Sequence, residues 1–483
     1  PFVVAEVLSL LVVTYFASTI RHPRQHERDS IGSAPPELSL DVWIATSREP
    51  IDVLEQTVEA STRLRCGART LYILDDGESD EVARLARKYG CRYIRRHEHD
   101  DAKSGNLNYA LERSTGDLIL VLDADQVPDP DLLEQIGGYF KIPEVGFVQT
   151  AQRYILPAGD PWGNAERLFY EVIQRSKDAD NAAFSCGSGV VYRRAALESI
   201  GGFSTWNLVE DVHTSMRLHA QGWRSVYYGY PLSRGTAPAD IVGYLRQRRQ
   251  WAVDSLRMLF WDNPLRHRGL SGAQKLQYGY TAAAYLIAGF LVPFYFVLPI
   301  WSTVMRDFVS LAPAWEYGIV RGFYLLCTVG MLFVLEKPVR SLKSYRFWAG
   351  LFPTFMMAAV SALRARTSKP AYRVTSKVQE RPPFGLRLGS VWPQVLVVLL
   401  VAVVIPWGWA SGRLPDDAMA VNTVWSLWTM WTLYPIVSQA LRRPPAAGGD
   451  GVGAADRITG TPRAVPAERR VAVPHPQSPP RSR

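Results

Sequence analysis

Asp117-Leu-Ile-Leu-Val-Leu-Asp-Ala-Asp-Gln126 is an apolar run of five that stops on two acids one residue apart. Five consecutive apolar residues read as a strand buried on both faces. Asp123 and Asp125 then stand at its carboxyl end, the edge where open parallel sheets place their ligands. Period-two alternation sends both carboxylates to one side, where together they can hold one hard cation against a diphosphate. A bare Asp-x-Asp before Pro128 is more often just a turn, so the rest of the chain has to discriminate.

Around this stretch, from about Leu40 to Gly235, short β-rich runs alternate with helical ones, the pattern of an α/β fold with helices on both faces of a mostly parallel sheet. Strands are predicted at Asp41–Thr46, Thr70–Asp75, Cys91–Arg95, Leu118–Asp123 and Val145–Thr150, with helices at Ile51–Leu64, Ser79–Tyr89 and Gly105–Arg113. No Gly-x-Gly-x-x-Gly or Walker loop is present, which argues against dinucleotides and P-loop chemistry.

Other groups point to the same edge. Asp75-Asp76-Gly77 closes the second strand; alone it is a plain turn, but beside Asp123 it supplies acids suited to a base or ribose hydroxyl. Lys103 is either an exposed lysine at a helix start or a partner for the diphosphate. Asp211 of Glu210-Asp211 precedes a helical stretch, so it is first a cap. It also suits inverting glycosyl transfer, in which a carboxylate takes the proton of the attacking hydroxyl while a metal at Asp123 and Asp125 neutralises the leaving diphosphate. Gln247-Arg-Arg-Gln-Trp251 is either an interfacial helix with snorkelling arginines or a site where Trp251 stacks on an acceptor sugar and Arg248 or Arg249 reaches the diphosphate.

Composition adds membrane segments. The chain is 47% hydrophobic with a mean hydropathy near zero, an average over soluble and membrane parts. Residues 1–21 read as a spanning helix, with the chain open to residues upstream of Pro1, and 22–39 as a linker; Arg21, Arg24 and Arg28 follow the apolar run, which puts the domain over 40–275 in the cytoplasm. The membrane region over 276–441 has four apolar segments, Tyr278–Met305, Ile319–Leu335, Val391–Ser411 and Met419–Leu441, plus a cation-flanked interfacial helix over 347–363. Residues 442–483 form a basic Pro/Gly/Ala-rich tail expected to be disordered. It holds eight Arg against three acids, so five of the nine excess positive charges lie there, and nucleic acid is not an expected partner. Four cysteines without Cys-x-x-Cys pairing indicate neither zinc nor a disulfide framework.

In order and spacing, Thr46…Glu49-Pro50, Asp75-Asp76-Gly77, Lys103-Ser-Gly-Asn-Leu-Asn108, Asp123-Ala-Asp125, Gln149-Thr-Ala-Gln152, Cys186-Gly-Ser-Gly189, Glu210-Asp211 and Gln247…Trp251 resemble the cellulose-synthase-like branch of family 2 glycosyltransferases over roughly residues 40–440. The resemblance implies a GT-A domain, a UDP-sugar donor (UDP-glucose first), Mg2+ or Mn2+, inversion, a glycan acceptor, and an all-α transmembrane region that can pass the growing chain. It implies that Thr46, Glu49, Asp75 and Asp76 face the uridine, that Asp211 beside Glu210 is the base, and that Cys186, Gly187, Gln247 and Trp251 meet the acceptor. Tyr372-Arg-Val-Thr-Ser-Lys377 is similar to the family's gating loop, placing Tyr372, Val374, Thr375 and Lys377 over the nucleotide.

The chain also departs from that family. Gln250 stands where its pattern has Arg, with Arg248 and Arg249 instead, and Ser47-Arg48 replace Tyr-Asn. No cyclic-dinucleotide-binding domain follows Leu441, so control by that messenger is not expected. The expectation is therefore a multi-pass protein of the plasma membrane that extends and exports a β-linked polysaccharide, with accessory secretion subunits as possible partners. The alternatives are single-sugar transfer to a lipid or short glycan, which Gln250 favours, and a catalytically silent membrane subunit.

Overall fold

The computed structural model describes residues 2–442 apart from 29–30, 36, 156–167, 208–209, 239, 309–312, 336–337 and 368–381. Helix α1 (Phe2–Thr19) leads into a βα series: β1 (Leu40–Thr46), α2 (Ile51–Thr62), β2 (Arg69–Asp75), α3 (Asp80–Lys88), β3 (Arg92–Arg95), α4 (Ala102–Leu111) and β4 (Leu118–Asp123). Each expected strand and helix of this half is present to within a few residues. The long apolar strands have helices on both sides, so both faces bury. Val42, Ile44, Leu120 and Leu122 pack on one side with Leu54 and Val58, while Trp43, Ile119 and Val121 pack on the other with Leu107 and Tyr192.

The second half changes the sheet's character. It runs β5 (Val127–Pro128), α5 (Leu132–Ile136), β6 (Val145–Ile155), α6 (Gln174–Ala179), β7 (Val190–Arg193), α7 (Arg194–Ser199), α8 (Asp211–Ala220), β8 (Arg224–Thr236) and α9 (Ile241–Trp261). The eight strands lie in the order β3-β2-β1-β4-β7-β6-β8-β5, with β7 antiparallel to both β4 and β6. The sheet is thus mixed, and β6 runs five residues beyond the predicted Thr150 because β8 pairs with it through Ile155↔Thr236.

Register sets the site. Thr46 lies opposite Asp75, and Ala45 opposite Asp123, so the carboxyl edge of β2-β1-β4 collects these groups in one row.

After α9 come α10 (Gly272–Leu286), α11 (Val292–Met305), α12 (Ala314–Leu335), α13 (Pro338–Gly350), α14 (Phe352–Arg364), α15 (Phe384–Gly389), α16 (Trp392–Ala410) and α17 (Asp416–Leu441). Among the described residues two helices are long and apolar enough to cross a membrane, Gly272–Met305 and Trp392–Ala410, where the sequence suggests five; in α1 the apolar stretch Val4–Thr19 is shorter than a span. In α17 the buried face carries Asn422, Ser426, Thr429 and Thr432, which lowers its apolarity. The segment expected as one interfacial helix over 347–363 is two: α13 and α14 meet at a 49° bend. Pro353 in the first turn of α14 has no N–H to continue α13, so the chain restarts there. Helix α9 joins the two regions: Tyr244, Ala252 and Leu256 pack with Phe347, Phe355, Ala358, Ala359 and Ala362.

Candidate active site

Lys103 is the hub. It sits in the first turn of α4, and its Nζ donates to Asp123 Oδ1 (2.6 Å) and to the carbonyl of Gly187 (2.7 Å), with Glu210 Oε1 at 3.4 Å. Burial pushes the ammonium's pKa down, but Asp123, Glu210 and Asp211 outweigh it and hold it above the ordinary lysine range. A clasp aims α4. Arg96 forms a two-pronged ion pair with Asp76 (2.9 and 3.0 Å) and donates to the carbonyls of Asp100 and Ala102. Gly105 lies beneath that guanidinium, where a Cβ would collide with it. Asn106 ties α4 to β2 through the Leu74 carbonyl (3.0 Å), and Asn108 exchanges two hydrogen bonds with Phe203. The asparagines of the Lys-Ser-Gly-Asn-Leu-Asn run are therefore fasteners around Lys103.

Asp211 closes the cleft from the other side. It is the first residue of α8, and its Oδ1 accepts the N–H of Val212 (2.6 Å). The capping role expected for it is not what the structure has: Glu210 occupies the N-cap position, makes no side-chain cap bond, and turns toward Lys103. Burial first, then the charge of Glu210, raises the Asp211 carboxyl well above the usual range. Asp254 raises it further. That buried residue escaped the sequence reading. The available signal was helical spacing, since Gln247, Gln250, Trp251 and Asp254 recur at three- and four-residue steps along α9.

The loop Cys186-Gly-Ser-Gly189 forms the floor. Ser188 Oγ accepts from the Asp123 N–H (2.9 Å), while Gln149 and Gln152 both donate to the Ser188 carbonyl and Gln149 Oε1 accepts from the Cys186 N–H. Gly187, at φ +76°, lies so that a Cβ would sit 3.4 Å from Asp211 Oδ2, 3.5 Å from Lys103 Nζ and 3.6 Å from Glu210 Oε1. Gly187→Ala is expected to cost about 1 kcal/mol of stability through its left-handed backbone. Because the added methyl fits at ordinary contact distance but occupies the space between Asp211 and Lys103, turnover should fall much further, on the order of 100-fold for a substrate displaced by about 1 Å. Paired melting and turnover measurements check this.

The two metal candidates differ. Asp123 is 42% exposed and ion-paired to Lys103. Asp125 is buried and accepts the N–H of Thr236 (3.0 Å) at the end of β8. Among the described residues no group of three or more His, Cys, Asp or Glu is arranged to hold a metal. The two hard carboxylates therefore fit a divalent cation only if diphosphate oxygens complete its shell.

At the expected nucleoside side, Thr46 Oγ1 (2.8 Å) and the Ser47 N–H (2.6 Å) both donate to Glu49 Oε2. Asp75 is fully buried and committed internally: Gly77 and Ser79 N–H groups and the Tyr93 hydroxyl all donate to it, at 2.8, 2.8 and 2.7 Å. It shapes the turn. Asp75→Asn, which turns an NH2 toward those donors, should cost about 1–3 kcal/mol in urea unfolding. Arg249 donates to Ser361 of α14 (3.1 Å), whereas Arg248 stacks between Tyr244 and Trp251, its guanidinium 4.9 and 4.6 Å from the ring centres. Of the expected pair of diphosphate arginines, Arg249 is thus taken up by the membrane region. Tyr372, Val374, Thr375 and Lys377 lie outside the described residues.

The sequence matches the profile described as "Glycosyltransferase like family 2" over residues 36–253 and the one described as "Cellulose synthase" over 199–340. Over residues 36–340 the chain is thus similar to family 2 glycosyltransferases and cellulose synthases. Among relatives of this cellulose-synthase-like chain, the cellulose synthase 1 catalytic subunit [UDP-forming] of Komagataeibacter xylinus is 29% identical over 83% of this chain and 56% of its own. The cellulose synthase catalytic subunit [UDP-forming] of Pseudomonas fluorescens (strain SBW25) is 27% identical over 88% of this chain and 60% of its own. The chain thus spans little more than half the length of these relatives. A mannosyltransferase of Pyrobaculum calidifontis, solved with GDP-Man and Mn2+, superposes with a TM-score of 0.52 at 19% identity, over 74% of this chain and 99% of that one. This likeness shows that the cellulose-synthase-like chain has a GT-A fold.

Proposed function

We propose that the protein transfers a sugar from a UDP-sugar, UDP-glucose first, to the end of a growing β-linked polysaccharide with inversion. The observation that carries this is the half-buried Asp211 carboxylate facing Lys103 across Gly187, which carries no side chain. The acceptor hydroxyl lies between Asp211 and the anomeric carbon, and Trp251 provides a flat face for its ring. Asp211 takes the hydroxyl proton as the new C–O bond forms and the C–O bond to the diphosphate breaks. The nucleotide leaves with that electron pair. Asp123 and Asp125, together with the diphosphate oxygens, would hold a divalent cation, Mg2+ or Mn2+, which would supply charge neutralisation to the leaving group. Lys103 contributes a fixed positive charge at the same edge, and Thr46 and Glu49 border the nucleoside side.

In this reading the catalytic domain is cytoplasmic and the protein is a multi-pass protein of the plasma membrane, with the helices after α9 forming the channel for the product and accessory secretion subunits beyond it; the two apolar helices Gly272–Met305 and Trp392–Ala410 support it. A second reading, single transfer to a lipid or short glycan, is favoured by Gln250 in place of Arg and by the engagement of Arg249 with Ser361. Purified protein incubated with UDP-glucose, UDP-GlcNAc and GDP-mannose plus Mn2+ decides between them. The expected result is UDP release with long products; release with single-sugar products supports the second reading, and no release above Asp211→Asn removes both.

A further inference from the structure

The turn after α9 builds a second concave site. A cavity of about 410 Å3 is lined by Phe260, Trp261, Asp262, Asn263, Arg266, His267 and Arg268, none of which belongs to the cleft above. Its position along the membrane axis can be read from its neighbours. Leu265 Cδ2 and the Tyr15 hydroxyl of α1 meet over Gly279, each within 2.9 Å of where a Cβ on that glycine would be. Tyr15 lies one turn before the end of α1 and donates to the Leu276 carbonyl (2.6 Å). The continuous helix Gly272–Met305 has 34 residues. At 1.5 Å each that is about 50 Å, roughly 20 Å more than the hydrocarbon core requires. That excess leaves room for its first turns, against which this site packs, to stand at headgroup level.

The chemistry of the walls suits that level. Trp261 and Leu265 are exposed, at 38% and 48%. The Trp261 indole donates to the Ala362 carbonyl (2.8 Å) at the end of α14, and the Arg366 guanidinium lies 5.2 Å over its ring. Arg266, His267 and Arg268 bring donors to the lining, and the Nδ1 of His267 is buried without a hydrogen-bond partner. One carboxylate, Asp262, also lines the cavity and is bonded to His213 (2.8 Å), which leaves two arginines against one acid. A membrane-interface tryptophan, an exposed leucine and converging cations together match an anionic amphiphile.

We propose that this cavity binds the phosphate headgroup of an anionic phospholipid, with the acyl chains along Leu265 and Trp261. The test uses the full-length protein in mixed micelles of phosphatidylglycerol and phosphatidylcholine, with retained lipid counted by native mass spectrometry. Phosphatidylglycerol should be retained in preference, and Arg266→Gln/Arg268→Gln should weaken that retention on the order of 30-fold, from two surface cations. UDP release in phosphatidylcholine should stay unchanged. Equal retention of the two lipids by the wild type, or undiminished retention by the double variant, overturns the proposal. Binding of inorganic phosphate without lipid, with the same arginine dependence, makes this a soluble-anion site and also overturns it. Should the double variant fail to fold, added salt must release phosphatidylglycerol and not phosphatidylcholine from the wild type; salt-independent retention overturns the assignment.

Discussion

Asp211→Asn is expected to lower UDP release by about 10²- to 10⁴-fold, the usual contribution of a positioned base, while leaving UDP binding nearly intact. The pH profile gives a sharper check. A base must be ionised, and burial together with the Glu210 charge raises the Asp211 carboxyl above its ordinary range. The rate should therefore rise with pH along a limb centred well above the roughly 4 of an unperturbed aspartate. Glu210→Gln removes a neighbouring negative charge and should move that limb toward lower pH. A limb at the ordinary carboxylate value, unmoved by Glu210→Gln, would exclude Asp211 as the base.

Lys103→Met should be the most destabilising single change in the cleft. It leaves Glu210, 3% exposed, and the half-buried Asp211 without their cation. Removing one partner of a buried pair costs about 3–5 kcal/mol; with Asp123 still 42% exposed, about 2–4 kcal/mol is expected. The sign of the pH dependence follows. Without the lysine the acids titrate higher in the folded than in the unfolded chain, so the folded state is penalised increasingly as pH rises above their unfolded values. The loss in melting temperature should be small near pH 4–5, roughly where free carboxyls titrate, and grow toward neutrality. A pH-independent loss would mean that Lys103 acts by packing alone.

The first half of the sheet was legible because its strands are continuous apolar runs, and both faces of a parallel sheet bury. In the second half only β6 was. β7 is only four residues, Val190–Arg193, directly after the Gly189 bend, too short to show a period. β8 contains Pro231 and bulges against β6, so its alternation breaks although it is 13 residues long. In the site, the order of acids marked the sheet edge correctly, but residue type could not separate ligand from fastener. Asp75, Asn106, Asn108, Gln149 and Gln152 spend their polar atoms on backbone or neighbouring side chains, and that depends on partners 18 to 95 residues away. Arg248 and Arg249, adjacent in sequence, go to different places because successive residues on a helix point about 100° apart.

One ammonium against several carboxylates at Gly187 also constrains the order in which ligands arrive. Asp123 and Glu210 already outnumber Lys103, and Asp211 adds to them once it is ionised, so the cleft is unfavourable to a bare nucleoside diphosphate. Under the proposed function, the cation-chelated nucleotide is the form this surface should accept, and donor and cation are expected to enter as one species and product to leave as one. Product inhibition should follow the concentration of chelated UDP and not that of total UDP.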